Sequence, residues 1–115
     1  MPHLQTARPE LAQAIAAHFD ELTGVLAPGL GELCRRRVVE VLDGVDSPPL
    51  AELTGVERDC LVLAEQFIHS AQWVTDEQVA AVARHLEPGP VVALIALISL
   101  VERTERLERF LAGLA

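Results

Sequence analysis

The chain contains no lysine and no tyrosine, one tryptophan and three phenylalanines, so aromatic residues make up only 3% of it. Its core must therefore be filled by aliphatic side chains, and half of the residues are apolar, chiefly Ala, Leu and Val. That mixture favours helix over sheet, because Ala and Leu lose little on entering a helix whereas strands draw on β-branched and aromatic residues. All nine basic residues are arginines, set against seventeen acids, for a net charge of −8. Such a surplus argues against a nucleic-acid partner, which needs a basic face. Two cysteines, Cys34 and Cys60, do not make a secreted disulfide framework. The Met1 end is polar and lacks the apolar stretch of a signal peptide, so a cytoplasmic protein is expected. No apolar run reaches the roughly 20 residues that span a bilayer, so no membrane partner is expected. At 115 residues the expectation is one domain over 1–115, long enough to bury about two-thirds of its unfolded surface.

The least ambiguous stretch is PVVALIALISLV, Pro90 to Val101, where Ser99 is the single polar side chain after the proline. Pro88, Gly89 and Pro90 give it a sharp start, with Pro90 suited to the first helical position. It runs without a breaker into ERTERLERFLAGL, where Leu107, Phe110, Leu111 and Leu114 narrow to one stripe. The reading is one helix of roughly 20 residues, apolar on every side first and amphipathic afterwards. Its first half must be covered all round, by other helices of the chain or by another subunit.

Taken in order, residues before Arg8 read as a flexible arm. A helix is predicted from Pro9 to about Thr23, carrying Leu11, Ile15, Phe19, Leu22 and Leu26 on one side, with Gly24 and Pro28-Gly29 as its stop. A second covers Leu30 to Asp43 with the stripe Leu30, Leu33, Cys34, Val38, Val41, Leu42, and Gly44 ends it. DSPP (Asp46 to Pro49) is turn material, with Ser47 a candidate cap for a short turn at Leu50 to Leu53. Thr54 with Glu57 reads as a capping box opening a helix to about Gln72, buried through Val56, Cys60, Leu63, Ala64, Phe67, Ile68 and Ala71. Thr75 with Gln78 repeats the device before a shorter helix whose Val79, Val82, Ala83 and Leu86 face inward. With no strand pattern and no repeat, the fold class is all-α, five main helices and one extra turn.

Arg35, Arg36 and Arg37 do not form one patch, because successive helical residues point about 100° apart; they read as a solvated or salt-bridged face rather than an anion site. Glu102 with Arg106, and Glu105 with Arg109, are i, i+4 pairs worth about 0.2–0.5 kcal/mol each. Cys34 and Cys60 fall on apolar stripes, where a cysteine behaves as a small hydrophobe. Glu65 and His69 share a helix face bordering the core, either as an exposed pair or as a carboxylate that orients an imidazole for acid/base work. Zinc chemistry needs three protein ligands, for which His18 or His85 would have to converge from other helices, so no metal and no cofactor is expected.

Two blocks resemble the carboxymuconolactone decarboxylase / alkyl hydroperoxidase D-like (AhpD-like) superfamily. The first runs from Glu57 to Leu111, with ERDCLVLAEQF, the VTDEQ turn and the long closing helix; the second is LGELCRRRVVEVLDGVDS, Leu30 to Ser47. Together they cover about two-thirds of the chain. The resemblance implies a bundle of five to six helices around a long apolar C-terminal helix, and homo-oligomers, often trimers or hexamers, packed through that 90–112 helix. Thiol members of the family carry a glutamate, then Cys-x-x-Cys twelve residues on, then a histidine four further. Transferred here, the glutamate is Glu32, the cysteine positions are Gly44 and Ser47, and the histidine position is Ala51. All three reactive groups are missing, and a serine hydroxyl neither ionises near neutral pH nor forms a disulfide. The connection from Ser47 to Glu57 is also shorter than in typical members.

The expected function is therefore an oligomeric, non-redox binding or scaffolding protein. A cofactor-independent decarboxylase or isomerase acting on a small organic acid or lactone, with Glu32, Glu65 and His69 at a pocket rim, is the alternative. Residual thiol peroxidase activity through Cys34 or Cys60 is a third. A small-molecule ligand fits the first two.

Overall fold

A computed structural model describes residues 1–46 and 50–114. It contains six helices: α1 (Pro2–Ala7), α2 (Pro9–Val25), α3 (Leu30–Leu42), α4 (Gly55–Ser70), α5 (Asp76–Ala83) and α6 (Pro88–Leu114), with 3-10 turns over Leu50–Glu52 and Ala71–Trp73. Among the described residues there is no strand, and no helix is long and apolar enough to cross a membrane. Residues 47–49 lie outside the described residues, and with them the expected Ser47 cap and all of the DSPP turn but Asp46.

Local signals place most boundaries. Gly44 adopts φ 75° and closes α3 in a Schellman arrangement, its N–H on the Val41 carbonyl and that of Val45 on the Glu40 carbonyl. Both capping boxes form: Thr54 N–H donates to Glu57 at 2.9 Å and Thr75 N–H to Gln78 at 2.9 Å, and each threonine hydroxyl accepts the returning backbone N–H. They satisfy donors that would otherwise be orphaned at the starts of α4 and α5.

Long-range packing follows α6. Gly31 faces Leu97 and Asp43 meets Arg109, both pairs 66 positions apart, so α3 lies parallel to α6. Thr23, near the end of α2, meets Gly31 while Ala12 near its start is buried close to α1, which makes α2 antiparallel to α6. Cys34 and Val38 of α3, Cys60, Leu61 and Leu63 of α4, Val82 of α5 and Leu94, Leu97 and Ile98 of α6 make the fully buried centre.

Four expectations change. Residues before Arg8 are not a loose arm: α1 buries Leu4 against α2 and α6, and its first N–H groups, from His3 and Leu4, are held by the Glu108 carboxylate at 2.7 and 2.9 Å. On α2 the buried residue near the start is Ala12, with Leu11 exposed, because α1 covers that side. Ala83 is exposed, and α5 is anchored by Val82. Ala71, expected on the buried face of α4, lies beyond that helix's end at Ser70 and is exposed. Within the single chain the apolar half of α6 is covered on one broad side, through Ala93, Leu94, Leu97, Ile98 and Val101, while Val92 is 68% exposed.

Candidate functional site

The candidate residues are not gathered into one place. Glu32 sits in the first turn of α3, exposed, where Arg35 donates to both carboxylate oxygens. That hydrogen bonding holds the Glu32 carboxyl below the usual carboxylate range. Gly44 lies twelve residues further, about 18 Å along the helix axis, so Glu32 has no access to the loop on which the resemblance places the reactive groups. Gly44 itself serves as the left-handed helix stop, Ala51 is exposed in a 3-10 turn, and Ser47 lies outside the described residues.

Glu65 and His69 do share a depression. It measures about 250 Å³ and is lined by Arg37, Val41, Gly44, Val45, Asp46, Glu65 and His69. At its base is Arg37, only 4% exposed. Its Nε donates to Glu65 Oε1 at 2.7 Å, and its Nη1 donates to the backbone carbonyls of Val45 and Asp46 at 3.2 and 3.1 Å, with Glu40 3.7 Å away. The guanidinium therefore ties α3 to α4 and fastens the start of the following loop. A buried cation is tolerated only when paired and hydrogen-bonded, and Glu65 supplies that pairing. His69, one turn on, is exposed at the edge. Glu65 is thus engaged as the counter-ion of Arg37, which leaves His69 in water without the orienting carboxylate that acid/base work requires.

The arginine run is salt-bridged at Arg35 and Arg37, as the sequence suggested, but at Arg37 the pair is buried rather than on a solvated face. Arg35 is half-buried and Arg36 exposed, as helical geometry requires, but Arg37 falls three residues after Cys34 and four before Val41, inside the buried stripe. That register was the available signal, and the flanking arginines masked it.

Both thiols are shielded from solvent. Cys34 and Cys60 are free and fully buried, and desolvation pushes their pKa up to about 12 and about 11. The thiolate, the reactive form, is therefore suppressed at neutral pH. His85 pairs with Asp59 at 2.8 Å and His3 with Glu108 at 2.8 Å, and both pairs join separate helices or the segments beside them. Among the described residues no three His, Cys, Asp or Glu side chains assemble in a way that would hold a metal ion.

Comparison with family models, curated proteins and solved structures finds no match for this chain. The assignment of function therefore rests on the residues themselves.

Proposed function

We propose that this chain is an AhpD-like helical domain without thiol redox chemistry, acting in the cytoplasm as a homo-oligomeric binding or scaffolding protein. The observation that carries the reading is the unused side of α6. That helix holds the core together through one side, yet Val92 is 68%, Phe110 64% and Leu114 69% exposed in the single chain. Val92, Ala96, Ser99, Arg103, Leu107, Phe110 and Leu114 lie within about 60° of one line along the helix, since each residue advances 100°. Apolar segments at both ends of that line, separated by Arg103, suit helix pairing between copies. Burial of both thiols and the engagement of Glu65 by Arg37 argue against the two enzymatic alternatives.

Substitution on the open side tests the proposal. Val92→Arg and Phe110→Glu should each lower the particle mass in solution while leaving the helical content intact, because neither side chain contributes to the chain's own core. Unchanged mass in both variants contradicts the assignment of this face.

A further inference from the structure

We propose that two copies of the chain pair antiparallel along the open side of α6, with Phe110 of each seated on Val92 of the other. The inference rests on the pairing of α6 between copies proposed above, and adds its direction and register. Val92 and Phe110 are 18 residues apart, which is five helical turns, so they point the same way from places about 27 Å apart on the axis. Bulk is unevenly spread along this line. Beyond Arg103 it carries Leu107, Phe110 and Leu114, all three exposed. Before Arg103 it carries Gly89, Val92 and the half-buried Ala96, and nothing lies within 4 Å of where a β-carbon on Gly89 would be.

Antiparallel packing about a two-fold axis level with Val101 gives every large side chain a small one to sit on. Phe110 meets the partner's Val92, Leu107 the partner's Ala96, and Leu114 the partner's Gly89. The three pairs share one centre, which is the reciprocity that an interface between identical copies requires. Parallel packing instead sets Phe110 on Phe110 and Leu107 on Leu107. That holds the helices apart at one end and leaves Val92 and Ala96 facing themselves across a gap at the other, where close packing is lost. Charge favours the same direction. Arg103 is exposed and has no ion pair among the described residues. In a parallel pair it stands level with its own copy, whereas in the antiparallel one it is level with the partner's Ser99, and the two arginines are offset by about 6 Å along the axis.

Disulfide trapping on the full chain tests direction and register, with Cys34 and Cys60 left in place because both are buried. A ¹⁵N-labelled Val92→Cys chain is refolded under reducing conditions together with an unlabelled Phe110→Cys chain, then oxidised with copper phenanthroline, and the products are weighed by mass spectrometry. A disulfide needs its β-carbons about 4 Å apart, so the mixed dimer should exceed either homodimer at least about ten-fold. Homodimers of both variants establish parallel packing and overturn the proposal. Unlinked chains that still assemble overturn it too, while leaving the pairing of copies intact; a single-chain mass for the unaltered protein removes both. Because Phe110→Cys also deletes bulk, a second pair of variants reads assembly by mass alone. Ala96→Leu should crowd the partner's Leu107 and weaken association at least about five-fold, and adding Leu107→Ala should restore it. No recovery in the double variant contradicts the antiparallel register.

Discussion

Arg37 on α3 and Glu65 on α4 meet at 2.7 Å, with the guanidinium all but sealed from solvent. The pair makes the depression beside His69 a structural joint. Removing one partner leaves a charge in a site that cannot solvate it, so Glu65→Ala should cost about 3–5 kcal/mol in urea unfolding. The apolar double replacement Arg37→Met with Glu65→Leu should lose less than Glu65→Ala alone, because it leaves no buried charge behind. A double variant at least as unstable as the single one would show that the ion pair itself, rather than its completeness, supports the fold.

The two thiols define an alkaline limit. Both ionise near their ordinary value of 9.0 when unfolded, but only near about 12 and about 11 when folded. Between these values the unfolded chain holds fewer protons than the folded one, so stability falls as pH rises, by up to about 1.4 kcal/mol per pH unit for each thiol. The chain has no lysine or tyrosine to titrate in that window. Urea midpoints should therefore be flat from pH 7 to about 8.5 and decline above it. The double variant Cys34→Ala with Cys60→Ala should abolish that decline. A native-state labelling reagent should leave both cysteines unmodified near pH 7.

Glu108 is the tether of α1. Its side chain is 13% exposed. Desolvation there opposes ionisation, but the His3 and Leu4 N–H groups and the His3 ring outweigh it and hold the carboxyl below the usual range. Because this folded value is depressed, the contribution is complete above the ordinary carboxylate range and is lost as pH falls through the folded value. Amide exchange should show α1 losing protection on acidification before the rest of the chain unfolds. Glu108→Gln should produce the same local loss at neutral pH, with α3 and α4 unaffected.

Gly31 permits the close approach of three helices. A β-carbon there would lie 2.6 Å from Thr23 Cγ2 and 3.2 Å from Leu97 Cδ1. Gly31→Ala should therefore destabilise by about 1–3 kcal/mol through overpacking, despite a helix-propensity gain of about 1 kcal/mol. Adding Thr23→Ser, which deletes Cγ2 but keeps the hydroxyl, should recover much of the loss in thermal unfolding.

Features set by neighbouring residues were legible in the sequence. The two capping boxes, the Gly44 stop and the apolar run before Val101 all sit where local chemistry puts them. Features set by distant partners were not. Helix α1 is too short to be stable alone and exists by virtue of Glu108, more than a hundred residues away. Spacing put Glu65 and His69 on one face, yet it carried no information that Arg37 would claim the carboxylate. An apolar run likewise shows that α6 wants cover without showing which side the chain covers itself, and Val92 lies on the side that the single chain leaves open.

The mass of the unaltered chain in solution, measured by light scattering over a concentration series, bears most directly on the proposed assembly. The proposal requires at least twice the chain mass of 12.5 kDa, in whole-number steps, sustained at micromolar concentration. A particle of 12.5 kDa throughout the series, with Val92 and Phe110 both in water, would contradict it.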